Sequence, residues 1–549
     1  MDIRFCGAAR HVTGSMFLLE SRDHSILVDC GMSQGEDEKD CGTSFPFSPS
    51  PIDFVLLTHA HIDHSGRLPQ LVKEGFSGTI YATSATMELC SIMLLDSAHI
   101  QESEAEWKSR KNRRSGKGDV DPLYTQEDVY ETMNHFAAVE YDRMLTLSEH
   151  LHVRFTDAGH LLGSASIEVF LEEEGTTRKI VFSGDIGNLD QPIIKDPDYI
   201  DKADVVVMES TYGDRLHDKN VMSLMDRAKM LAEITDSTFR RGGKLIIPSF
   251  AVGRTQEILY LYRLVIDHGL LDYAPPVFLD SPLAVRATRI FKDSIRGDYF
   301  DDEAMELVER GLNPVDFTSL VKTQDVEDSK ALNTRKEPCV IISSSGMCDA
   351  GRIKHHLKHN LWRSECTVLF VGYQANGTLG RNIVDGAQHV TIFGEQIDVK
   401  ARIESLPGLS GHADRDGLEK WLHSFTRKPE KVFVVHGDEN VAPAFAQRIC
   451  DQGYAACAPK MLDSYDLSLP LPEQQKAVYI DRNTRILDTA CQTLDEEKDR
   501  LVRLLERFEF AVGTVDRSDM KRCTRLANAI SRLAQDLDDL SRKWNSDPD

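Results

Sequence analysis

The sequence runs to 549 residues, 41 % of them hydrophobic, which is enough to bury large cores and predicts two or three domains. It opens directly on the strand-like Ile3-Arg4-Phe5 without a charged and apolar leader, and no apolar run nears the ~20 residues of a membrane helix, so a soluble cytoplasmic protein with no membrane contact is expected. The 11 cysteines form no CxxC pair, which argues against a disulfide framework, and the net charge of -24 argues against indiscriminate adhesion to a polyanion.

In chain order, Ile26-Leu27-Val28 reads as a strand ending in Asp29. A second strand, Val55-Leu56-Leu57, runs into Thr58-His59-Ala60-His61-Ile62-Asp63-His64. Three imidazoles and a carboxylate crowded at the mouth of a buried strand leave polar groups unsatisfied unless a divalent cation collects them. Separate surface or core histidines are the bland alternative, and this spacing directly after a strand argues against it. The basic stretch Lys108 to Arg114 reads as a flexible loop, either a phosphate-tracking groove or ordinary solvated charge. Gly159-His160-Leu161-Leu162-Gly163 is a glycine-punctuated loop that frees His160 to approach a metal. Lys179-Ile180-Val181-Phe182 leads to Asp185, and Val432-Phe433-Val434-Val435 leads to His436. Functional groups at the carboxyl ends of strands in an α/β sheet collect on one rim, so these segments converge. Six or seven donors exceed the three or so that one catalytic zinc takes, which predicts two ions. A His/Asp donor set without cysteine ranks zinc above manganese or iron.

Between Tyr212 and His412 the chain makes a long excursion. Lys244-Leu245-Ile246-Ile247-Pro248, Pro276-Val277-Phe278-Leu279-Asp280, Cys339-Val340-Ile341-Ile342 and Thr367-Val368-Leu369-Phe370-Val371 are continuous apolar strands alternating with helices. That pattern predicts a second, parallel-sheet α/β domain with both faces covered, over about 213–395. Two of its strand-to-helix turns have anion-binding character. Ser343-Ser344-Ser345-Gly346 offers hydroxyls and N–H groups at an expected helix start, and Gly253-Arg254 opens a helix with a fork-shaped donor. Plain helix capping and a surface arginine are the competing readings. Arg352 to His359 is a second basic segment. After Leu462, Ser464 to Pro472 reads as a linker. Two amphipathic helices then carry Leu487, Leu494, Leu501, Leu505 and Phe508, and Cys523, Leu526, Ile530, Leu533, Leu537, Leu540 and Trp544, at heptad-like spacing. A hairpin over 473–549 would pack on the body or, as a homodimer contact, on a second copy.

The motif His59-Ala60-His61-Ile62-Asp63-His64, with His160 and Asp185, resembles the metallo-β-lactamase fold. Glu209-Ser210-Thr211-Tyr212-Gly213, Ser410-Gly411-His412-Ala413-Asp414 and Val435-His436-Gly437-Asp438 look like the three further motifs of its β-CASP branch, which contains nucleic-acid nucleases. The likeness runs from Met1 to about Pro459. It implies an αββα sandwich split into 1–212 and 396–462, with a β-CASP insert over 213–395 between the parts. It assigns His59, His61 and His160 to one metal, Asp63, His64 and His436 to the other, and Asp185 to both. Asp63, Glu209 and His412 would be catalytic, and Asp29 would hold the proton of a ligand histidine rather than touch metal. Gly411 stands where relatives often carry alanine. DNA-repair members tend to lack a histidine at the position of His436, so its presence favours RNA.

The implied enzyme is a ribonuclease acting on single-stranded RNA through a hydroxide activated by two Zn2+. It would leave 5′-phosphate and 3′-hydroxyl ends as an endonuclease, a 5′-exonuclease or both. The alternative enzyme hydrolyses a small ester, thioester or lactam, since one fold hosts many reactions. A catalytically silent scaffold is disfavoured because every ligand position is filled. The remaining histidines, His217 among them, lack partners at ligand spacing and receive no role.

Overall fold

The computed structural model describes residues 1–35, 37, 42–114, 118–217, 222–375 and 377–471. The two expected C-terminal helices, residues 473–549, lie outside the described residues. No helix among the described residues is long and apolar enough to cross a membrane.

Two seven-stranded sheets face each other. One has the order Ser464–Asp466, Asp2–Phe5, Phe17–Glu20, Ser25–Val28, Phe54–Leu56, Thr79–Thr83, Phe136–Val139. The other runs Ala456–Cys457, Lys431–Val434, Val205–Met208, Thr176–Phe182, Ala165–Glu173, Leu151–Asp157, Leu145–Ser148. Alternate residues point into the gap, where Phe5, Phe17, Ile26 and Val28 of the first sheet meet Phe155, Ile167, Phe182, Val207 and Phe433 of the second in one apolar cluster. On the outer face of the second sheet, Val181, Val206 and Val434 pack under Trp421, Leu422, Phe445 and Ile449. These come from the helices Arg415–His423 and Val441–Asp451. On the other outer face, Val55, Leu57 and Ile80 pack under Leu68, Leu71 and Leu89. The result is an αββα sandwich, and its central strands Val205–Met208 and Lys431–Val434 are buried at every position because both their faces are covered.

The inserted sheet has the order Leu320–Lys322, Val277–Leu279, Val340–Ser343, Leu245–Pro248, Thr367–Phe370, Arg402–Ser405, with every pairing parallel. Ile246, Ile341, Val368 and Phe370 pack on Ile353, Leu357 and Leu361. The opposite set, Leu245, Ile247, Val340 and Ile342, packs on Leu231, Tyr260 and Val265. The sixth strand, Arg402–Ser405, lies past residue 395, so the insert's sheet is completed on the returning chain.

Three sequence expectations change. Lys108 to Arg114 is not a loop but the last two turns of the 31-residue helix Ser84–Arg114. Glu104 and Glu106, one turn back, pair with Lys108 and Arg110, and Arg113 pairs with Asp119, so three of its five cations are met by carboxylates on its own helix and the adjoining segment. Ser464 to Pro472 is not all linker: Ser464–Asp466 joins the edge of the first sheet beside Asp2–Phe5, and Leu467 and Leu471 are buried. Ser343 to Gly346 does not open a helix, because the next one, Ile353–Asn360, starts well downstream.

Candidate metal centre and its neighbours

Parallel strands side by side in both sheets of the sandwich bring their carboxyl ends to one rim. Phe54–Leu56 is followed by His59, His61, Asp63 and His64, Thr176–Phe182 by Asp185, Val205–Met208 by Glu209, and Lys431–Val434 by His436. His160 arrives on the loop after Leu151–Asp157. Gly159 at φ +61° and Gly163 at φ +81° shape that loop, and a Cβ at either would strike backbone or side-chain atoms closer than 3.0 Å.

The structure brings all seven expected ligands together in two groups that share one carboxylate. His59, His61, His160 and Asp185 place ligand atoms within 4.8 Å of one another, and so do Asp63, His64 and His436. Asp185 divides its oxygens between them. Its Oδ2 lies 3.4 Å from His59 Nε2 and 3.4 Å from His160 Nε2, and its Oδ1 lies 3.2 Å from His64 Nε2 and 3.6 Å from His436 Nε2.

The outer nitrogens settle which ring atoms carry protons. The Nδ1–H of His64 donates to Asp29 Oδ2 at 2.8 Å and that of His160 to the Gly411 carbonyl at 3.0 Å. Thr58 donates its hydroxyl to Asp29 and therefore accepts from His59 Nδ1 at 3.1 Å. Thr211 donates to the His436 carbonyl and so accepts from His436 Nδ1 at 2.9 Å. Four Nε2 lone pairs consequently face inward. His59 Nε2 stands 3.0 Å from His61 Nδ1, and His160 Nε2 stands 3.3 Å from the same atom. The His61 ring thus turns its Nδ1 toward two ligand nitrogens, and a lone pair on that atom would complete a three-imidazole set around one cation. Asp185 Oδ1 and His436 Nε2 are moreover buried without a hydrogen-bond partner among the described residues, at a cost of about 1–3 kcal/mol each. The donor set thus fits divalent metal. The backbone agrees: His436 and Asp29 both sit at positive φ, 49° and 59°, strain of about 1–3 kcal/mol apiece of the kind that collects at functional sites.

Electrostatics divides the two groups. Burial lowers His59, His61 and His160, His61 to about 3, which keeps these imidazoles neutral. Burial acts on His64 and His436 in the same sense, but the carboxylates around them, Asp185 above all, raise both. Asp185 itself is driven well below the usual carboxylate range by the surrounding histidines, against the effect of burial.

Glu209 and His412 stand beside this cluster. His412 Nδ1 lies 3.2 Å from Glu209 Oε1 and 4.0 Å from Asp185 Oδ2. Glu209 is itself fixed by the backbone N–H groups of Ile186 and Thr211, at 2.6 and 3.2 Å. Burial depresses His412, but the Glu209 and Asp185 charges more than offset it and lift the imidazole to about 9. Asp29 does not reach the cluster, since its oxygens accept from Thr58 N, Thr58 Oγ1 and His64 Nδ1. A Cβ at Gly411 would lie 3.4 Å from the His160 ring, an ordinary contact, so alanine fits there.

The expected phosphate-binding residues are occupied elsewhere. Arg254 Nη1 is 2.5 Å from Glu257 Oε2, the Ser343 hydroxyl donates to the Asp280 carbonyl, and Ser344 bonds to Ser281. Ser345 is half-buried and bonds within its own loop to Ala350, and Gly346 lies against Phe250. The segment Arg352 to His359 is likewise no free basic groove, because Arg352 and His356 pair with Asp280 and Lys358 with Glu395. In the other direction, sequence reading passed over His217, whose Nε2 donates to the His412 carbonyl and whose N–H bonds to Asp414. It also passed over Thr58, Thr211 and Gln191, which bonds to the carbonyls of Gly159 and Gly411. Thr58 and Thr211 each adjoin a motif residue, the one signal that could have found them.

Comparison with known proteins bears on the same residues. Residues 18–204 match the model of the metallo-beta-lactamase superfamily domain, 255–383 that of the Beta-Casp domain, and 396–459 that of the Zn-dependent metallo-hydrolase RNA specificity domain. The chain is 39 % identical over 447 residues to "Ribonuclease TTHA0252" of Thermus thermophilus, covering 81 % of this chain and 95 % of that protein. It is 31 % identical over 448 residues to the "RNase J-like protein" of Methanocaldococcus jannaschii, covering 81 % and 95 %. It is also 31 % identical over 456 residues to "Transcription termination factor FttA" of Methanosarcina mazei, covering 81 % and 68 %.

Proposed function

The chain belongs to the β-CASP branch of the metallo-β-lactamase superfamily, and from that premise we propose that it is a metal-dependent ribonuclease. One observation carries the reading: inward-facing lone pairs from four histidines, with His61 against two of them, surround a carboxylate whose two oxygens serve two groups, and the Glu209–His412 pair stands alongside. His59, His61, His160 and Asp185 would hold one ion, and Asp63, His64, His436 and Asp185 the other, with zinc best suited to these donors. Such ions, when bound, acidify water at neutral pH and neutralise charge on a phosphodiester oxygen.

The remaining work falls to the chain. Glu209 keeps His412 protonated and aims it, leaving Nε2 to meet substrate. Water attacks phosphorus and gives up a proton to solvent, the bond from phosphorus to the 3′-oxygen breaks, and the His412 proton passes to that oxygen, after which solvent reprotonates His412. The products are a 5′-phosphate and a 3′-hydroxyl, on single-stranded RNA cut internally or from its 5′ end. A small ester, thioester or lactam would need neither the Glu209/His412 pair nor a six-stranded insert.

The test incubates zinc-loaded protein with labelled linear and circular RNA. Cleavage abolished by chelation and restored by zinc is expected, with His412→Ala lowering kcat about 10²- to 10⁴-fold at unchanged metal content. Cut circles establish internal attack, and a requirement for a 5′-monophosphate establishes end recognition. Normal cleavage by a fully metallated His412→Ala protein would sink the acid assignment.

A further inference from the structure

Leading away from His412, side chains alternate between rings and guanidinium groups. The Tyr212 ring lies 5.8 Å from that of His412, edge-on at 78°. The guanidinium of Arg215 lies 5.2 Å from the Tyr212 centroid and 6.0 Å from that of Tyr373. Asp214 holds Arg215 by its edge, Nε to Oδ1 at 3.0 Å, which leaves the planar faces for stacking. Tyr212 follows the sandwich strand Val205–Met208 and Tyr373 follows the insert strand Thr367–Phe370, with Arg215 between them, so the row runs from one sheet toward the other. Tyr373 is 51 % exposed, and so is Phe250, just past the end of the adjoining strand Leu245–Pro248. These two half-exposed aromatic rings past neighbouring strand ends keep π-faces open to a stacking partner.

Resting on the ribonuclease reading, we propose that Tyr212, Arg215 and Tyr373 form a stacking path for unpaired bases of RNA flanking the bond to be cut, with one base laid on the exposed face of Tyr373. Every base has a π-face, so such a path holds single strands without regard to sequence and rejects duplexes, whose bases already stack on one another. It also answers the charge balance. The chain carries a net charge of -24, and Lys108, Arg110, Arg113, Arg352 and Lys358 of its two basic segments are already paired with carboxylates, which weakens phosphate tracking along them. Stacking does not depend on net charge.

The test measures binding of a labelled single-stranded RNA, made non-cleavable by replacing each bridging 3′-oxygen with a methylene group, to the full-length, zinc-loaded protein. Tyr373→Ala is expected to weaken binding about tenfold, with Tyr373→Phe and Tyr373→Trp restoring it. An abasic position scanned along the RNA should weaken wild-type binding by the same factor at one position and leave Tyr373→Ala unaffected there. Equal affinity of wild type and Tyr373→Ala, failure of the aromatic replacements to rescue, or no measurable wild-type binding each overturns the proposal. Hydrolysis of RNA and of bis(p-nitrophenyl) phosphate by the unaltered protein tests the ribonuclease reading separately: cleavage without dependence of binding on Tyr373 defeats only the stacking path.

Discussion

Asp185 in the sandwich and Asp280 in the insert look alike in sequence, each an acid at or just past the end of an apolar strand, and each is buried, at 2 % and 0 % exposure. Their surroundings differ. Asp280 accepts from Arg352 Nη1 at 2.7 Å, Ser329 Oγ at 2.6 Å and His356 Nε2 at 2.6 Å, so its charge is met by donors. Asp185 faces the lone-pair side of four imidazoles, and its Oδ1 has no hydrogen-bond partner among the described residues. A buried carboxylate ringed by N–H groups is already balanced and serves the fold. One ringed by lone pairs needs a cation and serves chemistry.

The largest expected effect tests the second half of that contrast. Asp185→Asn removes the charge that both groups share, so tightly bound metal should be lost on elemental analysis and RNA cleavage should fall to background. The far-ultraviolet circular dichroism of the variant should match that of wild type, because asparagine keeps the size and shape of the side chain. Retention of tightly bound metal there would make Asp185 a structural residue like Asp280.

Asp280→Ala should do the reverse. It strands Arg352 and His356 without their buried acceptor, which costs about 3–5 kcal/mol in urea unfolding, while zinc per folded molecule stays at the wild-type value. Acid sharpens the same point. Although burial raises Asp280, its bonds to His356, Ser329 and Arg352 pull it below its usual value. A carboxyl depressed by folding stabilises above its unfolded pKa of about 3.9, and that contribution is lost as pH falls through the lower folded value. The stability gap between chelator-treated wild type and Asp280→Asn should therefore be flat above about pH 4 and close below it. A gap independent of pH would place the stabilisation outside the charge.

The same contrast explains what was legible in the sequence. His59, His61, Asp63 and His64 declare themselves because several donors fall within one short loop, and the apolar runs before Asp185 and His436 announce buried parallel strands whose ends must meet. Thr58, Thr211, Gln191 and His217 were silent, since each works through a bond to a motif segment and a lone hydroxyl, amide or imidazole carries no spacing signal. The basic segments misled for the opposite reason. Lys108, Arg110 and Arg352 show their charge in the sequence, but Glu104, Glu106 and Asp280, which cancel it, are one helical turn or a whole strand away. Ser343 and Ser344 resembled an anion cradle because hydroxyl direction is decided by tertiary neighbours, here the Asp280 carbonyl and Ser281.

Asp29 falls between the two aspartates and carries the smallest expected effect. Like Asp280 it is fully partnered, but one of its donors is His64, a member of the metal-facing group. Its carboxylate can only accept, which fixes the His64 proton on Nδ1 and leaves Nε2 open toward Asp185. In Asp29→Asn the amide can present an N–H to Nδ1 instead, moving the proton to Nε2 and blocking the ligand atom. Zinc affinity of the Asp63, His64 and His436 group should then drop about 10- to 100-fold in chelator competition, with cleavage recovered at excess zinc. Unchanged affinity would mean that His64 is oriented by packing alone, whereas a loss of stability on the scale expected for Asp280→Ala would put Asp29 with the structural aspartate.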